Sequence, residues 1–420
     1  MIAIYAEARQ EDRSAIWLLT WASAIFFGIT ALYYVWTIAW IEPIPRDATT
    51  LVVGRDFLNF WMYGRAAWLP DPSRFYNVHL YQDMLATFLG SLYPGQNWSY
   101  PPSIMFLAAP FGRLPYLAAL ACWTAVGLAF FVWTVSRYVG ERRLLAPILL
   151  SPAVVFCLIS GQNSLATTAI LLIIMTYLDR RPLLAGLLIG ILTLKPQLGL
   201  LFPVMLAASG RWRAFSVAAV TALVIAAATA AVFGPQAWID FIREGLPAQN
   251  AVLADPERIA TPYYPTIFMN LRGTGTSYPL AMAVQACFAA LAVGAVFFAY
   301  RARKDADPRM LAALFFACSI CAVPYLLSYD LVPMTCVAIS LLAAGKLDER
   351  GQIIAKLVYW LPLIQMTLGQ FHLPGAALIP PAFALYAFMS LTGRNPAATG
   401  PRDGGFVNRC DTPERAKRAT

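Results

Sequence analysis

The apolar residues of this chain are gathered into blocks about as long as a bilayer is thick, and short basic segments separate the blocks. Stretches such as 16–41, 115–136, 213–234 and 278–300 each approach the ~20 residues with which a helix spans ~30 Å of hydrocarbon. Of 420 residues, 59% are hydrophobic and 13% are charged, against about 25% charged in ordinary soluble domains. This excludes a soluble core with one anchor and predicts an all-α polytopic membrane protein. The formal charge of +9 does not call for a nucleic-acid partner, because Lys and Arg lie between the blocks and in the tail, not among aromatics on one face. Most cysteines fall inside apolar blocks, where they act as small hydrophobes; Cys318 and Cys321 share a CxxC spacing but lack companion ligands. Glu7, Glu11 and Asp12 precede an apolar run too long for a cleavable signal, so 16–41 reads as a retained first span.

Topology follows from the basic segments. Arg137, Arg142 and Arg143 follow one block, Asp179-Arg180-Arg181-Pro182 another, and Gly210-Arg211-Trp212-Arg213 a third. Arg301, Arg303 and Lys304, then Lys346 to Arg350, then the tail from Arg394 complete the set. With all of these cytoplasmic, both termini are inside and the crossings number about twelve, two of them short. Residues 1–15 are then a cytoplasmic N-terminus, 16–392 the transmembrane domain, and 393–420 a cytoplasmic tail that reads as disordered. Two long segments fall outside, a first outer loop at 42–114 and a second at 235–277. The aromatic density of the first predicts interfacial helices with their rings at headgroup level.

Residues 183–208 lie between two basic segments and therefore enter and leave from one face. Each arm of about 12 residues reaches only ~18 Å, too short to cross. Lys195-Pro196 at the middle is then the buried tip of a hairpin, and broken helices at membrane depth are tolerated where they line a polar cavity. Gly186 and Gly190, spaced GxxxG, suit close packing of the first arm.

The residues that can carry chemistry are few. In Gly54-Arg55-Asp56-Phe57-x-Asn59-Phe60-Trp61-x-Tyr63, Asp56 follows the first span. It either takes a proton from an acceptor hydroxyl as general base or caps an interfacial helix and pairs with Arg55 or Arg65. Asn59, Tyr63 and Tyr76 in the same loop, and Tyr100 of Tyr100-Pro101-Pro102, are candidate substrate contacts. Gly161-Gln162-Asn163 suits a turn whose amides either cap a helix or meet sugar hydroxyls. Lys195, an intramembrane ammonium, has a lipid phosphate as its natural ligand, or a structural carboxylate, Asp56 or Asp330. Tyr329-Asp330 ends a block near outer-leaflet depth, and the second loop offers Arg258, Asn270 and Arg272. His79 and His372 are too few for a metal centre, and no Walker, Rossmann or nucleophile-elbow motif is present.

In this order, the Asp after the first span, the aromatic run through Asp71-Pro72 and Phe75-Tyr76, Tyr-Pro-Pro, Gly-Gln-Asn, Lys-Pro and the late Tyr-Asp resemble glycosyltransferase family 87. The resemblance runs from about Gly54 to Asp330. It implies a GT-C-type fold and transfer of a hexose, mannose in the family, from a polyprenyl-phosphate donor to a lipid or glycan acceptor. The resemblance further implies that the transfer is inverting, occurs at the extracytoplasmic face of the bacterial plasma (inner) membrane, and uses the lipid-linked sugar as co-substrate with no cofactor. Carried over, the catalytic carboxylate is Asp56 and the donor-phosphate residue Lys195, with Arg272 the second cation. Phe268-Met269-Asn270-Leu271-Arg272 departs from the family's Asn-Gln-Ser-like run. The rival readings are a transporter or lipid flippase without covalent chemistry, which would show internal repeats, and a non-catalytic scaffold.

Overall fold

The computed structural model describes residues 2–40, 44–90, 93, 96–255, 259, 262–302 and 306–393, with side chains from Ser14 onward. Arg258, Arg303, Lys304 and the tail from Arg394 lie outside the described residues. Among those described, helices make up the fold and no strand forms; Ala39–Arg46 and Arg46–Val52 are isolated bridges.

Five helices are long and apolar enough to cross a membrane: Ser14–Trp36, Tyr116–Val139, Trp212–Phe233, Tyr278–Ala302 and Pro374–Thr392. Arg142–Leu149 and Pro152–Ser160, bent by 57°, make a sixth if they count as one span. Between these lie shorter apolar helices, Ser164–Tyr177, Pro182–Leu194, Pro196–Ala208, Pro308–Cys321 and Ser328–Ala343. Long and short helices occupy different places. The most apolar stretches of Trp212–Phe233 and Ser14–Trp36 are only 11% and 17% buried, so their side chains face outward, as helices bathed in lipid do. Pro308–Cys321 and Val332–Ala343, by contrast, are buried nearly all round, and Phe315, Val337 and Ile339 are fully enclosed. These two short helices are tolerated because protein, not lipid, surrounds them, whereas the first arm of the hairpin exposes Leu183 and Leu187.

Two ion pairs tie the basic segments together. Arg211 reaches Asp179 at 2.8 Å and Lys346 reaches Asp307 at 3.0 Å, so the segments at 179–181 and 210–213 share one end of the bundle. Between them the chain runs up and back as Pro182–Ile191, a 3₁₀ turn at Leu192–Leu194, Pro196–Gly199 and Phe202–Ala208. Prolines at the first turns of these helices remove no needed donor but end the preceding helix. The first arm packs on Trp212–Phe233 at its two glycines: a Cβ on Gly186 would come within 2.6 Å of the Ala214 carbonyl, and one on Gly190 would overlap Thr221.

The segment that the sequence reads as a first outer loop folds as Phe57–Ala66, Val78–Leu89 and Ile104–Ala108 joined by turns. Its aromatics are not spread along a membrane surface. Phe57, Phe60, Trp61, Tyr63, Phe75, Tyr76, Tyr81 and Trp98 form a separate core, with Tyr63 stacked on Trp98 at 4.0 Å between centroids. Each aromatic ring buries about 150–250 Å² when packed in this way, which draws these side chains off the surface and into the core of the loop.

Candidate active site

Asp56 stands at the start of Phe57–Ala66, in the N-cap position, yet its side chain makes no capping hydrogen bond. Nor does it pair with a neighbouring arginine: Arg55 pairs with Asp47 at 2.8 Å, and Arg65 stacks over the Trp61 ring at 4.8 Å. A tight turn aims the carboxylate elsewhere. Gly54 has φ +81° and Arg55 φ +34°, a left-handed pair that costs little at glycine and more at arginine. The Asp56 N–H donates to the Ser160 carbonyl at 3.1 Å. That bond docks the turn against a second one at Gly161, whose φ is +60° and where a Cβ would lie 2.8 Å from the Gly54 carbonyl.

Three segments distant in sequence meet at this carboxylate. Gln162 Nε2 and the Tyr329 hydroxyl donate to Asp56 Oδ2 at 3.0 and 2.9 Å. The amide also donates to the Tyr329 oxygen at 3.0 Å. Gln162 Oε1 accepts from the Asn163 N–H at 3.1 Å and from the Tyr100 hydroxyl at 3.3 Å. Burial pushes the Tyr100 phenol up to about 12, so it remains a donor at neutral pH. Behind Tyr329, Lys195 Nζ donates to Asp330 Oδ1 at 2.5 Å and to Asn163 Oδ1 at 3.3 Å. The Ser164 hydroxyl donates to the same Asp330 oxygen at 2.6 Å. Lys195 is 2% exposed and lies 5.4 Å from the Tyr329 ring centroid.

Beside this network lies a cavity of about 310 Å³ bounded by Asp56, Asn59 and Tyr100 of the first outer loop, the hairpin tip at Lys195–Gln197, Phe241–Leu253 of the second loop, and Val323–Asp330. Its wall is rich in amides: Asn59, Gln96, Asn97, Gln162, Gln197, Gln249 and Asn250. Lys195 is its only cation among the described residues. A second cavity of about 280 Å³, lined mainly by Leu, Ile, Phe, Trp and Ala side chains such as Leu107, Trp123, Phe130 and Ile191, adjoins it. Gln162 and Lys195 line both.

The structure thus brings Asp56, Asn59, Tyr100, Gln162, Asn163, Lys195, Tyr329 and Asp330 into one site and leaves four sequence candidates outside it. Tyr63 and Tyr76 are enclosed in the aromatic core, and their hydroxyls donate to the Tyr100 carbonyl at 3.2 and 2.7 Å; they shape the loop that carries Tyr100. Asn270 donates to the Tyr264 and Thr266 carbonyls and accepts from Gln365, which fixes the second loop to Glu349–Gln370. Arg272, in the last turn of Ile267–Gly273, donates to the Thr276 carbonyl at 2.7 Å. That bond ties it to the turn after its helix, its Nε is buried without a hydrogen-bond partner among the described residues, and it does not line the cavity. Sequence reading does not single out Ser164 or the amides at 96, 197, 249 and 250, and Asn97 stands out there only as the first residue of an Asn-Trp-Ser glycosylation sequon. Ser164 directly follows Gly-Gln-Asn and was the more legible; isolated amides in loops carry no spacing signal.

The model of glycosyltransferase family 87 matches residues 98–328, more than half of the chain. The chain belongs to glycosyltransferase family 87. It is therefore a membrane glycosyltransferase, and the transporter reading is not favoured. The match to family 87 takes in Tyr100, Gln162, Asn163 and Lys195, begins beyond Asp56 and ends just before Tyr329. No curated protein and no solved structure matched the chain.

Proposed function

We propose that the protein transfers a hexose, mannose by family resemblance, from a polyprenyl-phosphate donor to a hydroxyl of a lipid or glycan acceptor. The observation that carries this reading is the junction of the two cavities at Lys195 and Gln162. A lipid-linked sugar has three chemically different parts in series, an apolar chain, a phosphate and a polyhydroxylated ring. The apolar cavity, the ammonium and the amide-lined cavity occur in the same series. Amides donate and accept at once, which suits vicinal hydroxyls. An ammonium carries three donors; two of those on Lys195 go to Asp330 and Asn163, which leaves the third for a phosphate oxygen.

In the proposed step, Asp56 takes the proton of the acceptor hydroxyl as that oxygen bonds to the sugar C1. The bond from C1 to the phosphate oxygen breaks, and its electron pair leaves with polyprenyl phosphate. Lys195 is placed to offset the charge developing on that leaving group, the role for which fixed donors in a site shielded from water are most effective. The reaction so written needs no cofactor. Five to six long helices, Glu349–Gln370, three buried short helices and the two half-depth arms of the hairpin support a GT-C-type arrangement of about twelve membrane segments. With the basic segments inside, the site opens to the extracytoplasmic face of a bacterial plasma membrane.

The test is to reconstitute the protein in vesicles with labelled polyprenyl-phosphate-mannose and membrane lipid and glycan acceptors. Label should move to an acceptor, with polyprenyl phosphate released. Movement of the intact donor between leaflets without its consumption would overturn the reading in favour of a flippase, and consumption of a nucleotide-sugar alone would overturn the donor.

A further inference from the structure

The two donors on Asp56 address the same oxygen. Gln162 Nε2 at 3.0 Å and the Tyr329 hydroxyl at 2.9 Å both reach Oδ2, while Oδ1 has no hydrogen-bond partner among the described residues and Asp56 lines the polar cavity. Neither donor is free to turn away. The Gln162 amide is oriented by its own oxygen, which accepts from the Asn163 backbone and Tyr100, so its nitrogen must face the carboxylate. Tyr329 is held from both sides in the chain: the Ser328 N–H and hydroxyl both donate to the Tyr263 carbonyl, at 3.0 and 2.9 Å, and Asp330 is fixed by Lys195 and Ser164.

We infer that Gln162 and Tyr329 are positioning residues for Asp56. By occupying Oδ2 they fix the plane of the carboxylate and leave Oδ1 as the one atom that meets the acceptor proton. The Lys195–Asp330–Ser164 cluster acts through Tyr329 to the same end, beyond any contact Lys195 makes with the donor. This rests on Asp56 being the base. A rotating carboxylate would offer either oxygen and meet the acceptor in the wrong plane for much of the time, and misplacement by ~1 Å is enough to lose ~10²-fold in rate.

The experiment compares Tyr329→Phe, Gln162→Leu and Asp56→Asn, purified and reconstituted with labelled polyprenyl-phosphate-mannose and acceptor lipid, by kcat, by KM for each substrate and by thermal unfolding. Tyr329→Phe and Gln162→Leu should each lower kcat by roughly 10- to 100-fold with both KM values nearly unchanged. Adding Tyr329→Phe to Asp56→Asn should cost no further rate, because nothing remains to be positioned. A raised KM at constant kcat would overturn the inference and make the two residues substrate contacts. Unchanged kcat and KM would overturn it too, and would leave them structural. If Tyr329→Phe does not insert, Gln162→Leu carries the test alone. A fully active Asp56→Asn would instead remove the base assignment itself, an outcome separate from failure of the positioning role.

Discussion

The aromatic core of the first outer loop and the polar network around Asp56 are built from similar residues and hold them for opposite purposes. In the loop, Tyr63, Tyr76, Tyr81 and Trp98 are at most 1% exposed, and the phenols donate to a carbonyl or to Asn59 within the loop itself. In the network, Tyr100 and Tyr329 direct their hydroxyls at Gln162 and at Asp56 beside a cavity. The first arrangement is closed on itself. The second leaves one oxygen of Asp56 and the third donor of Lys195 without a partner among the described residues. Residue type therefore does not tell a structural tyrosine from a working one; what its hydroxyl reaches does.

Trp98→Ala should separate the two regions most strongly. Removing a buried tryptophan costs about 3–5 kcal/mol, and Trp98 packs on Tyr63, Phe75, Tyr76 and Tyr81 at once. Thermal unfolding in detergent should fall steeply. An unchanged midpoint would show that the loop is not held by its aromatic core. Lys195→Gln is the corresponding change in the network, with a smaller expected cost of about 3 kcal/mol because it strands the buried Asp330 charge. Adding Asp330→Asn should restore most of that stability, whereas donor affinity should stay low in both variants if the third donor of Lys195 holds the phosphate. Stability unrestored by the second change would mean that the ion pair is not what Lys195 contributes; native donor affinity would move the phosphate site elsewhere.

Much of this was legible in the sequence, and what was missed has physical reasons. Helical membrane architecture follows from block length and charge placement, and the hairpin at Lys195 from the spacing of basic segments around a stretch too short to cross. The convergence of Gly-Gln-Asn, Lys-Pro and Tyr-Asp was legible only as an order of motifs, because nothing local to Gln162 says that its amide meets a carboxylate 106 positions earlier. Asn270 and Arg272 were misleading. A polar residue in an outer loop looks the same whether it faces a substrate or satisfies backbone carbonyls, and here both do the latter. Tyr63 and Tyr76 do not line the cavity, because clustered aromatics bury one another. The number of crossings was blurred by helices such as Val332–Ala343, whose burial in protein frees them from the length that lipid demands.

The central claim is that Asp56 is the base of a lipid-linked glycosyl transfer, and single-turnover release of polyprenyl phosphate by Asp56→Asn beside the unaltered protein tests it most directly. Asparagine can still accept the bonds from Gln162 and Tyr329, so the fold and donor binding should persist. Release should fall by at least the ~10²–10⁴-fold that general-base catalysis supplies. Release at the rate of the unaltered protein, from a variant that binds donor normally, would contradict the account.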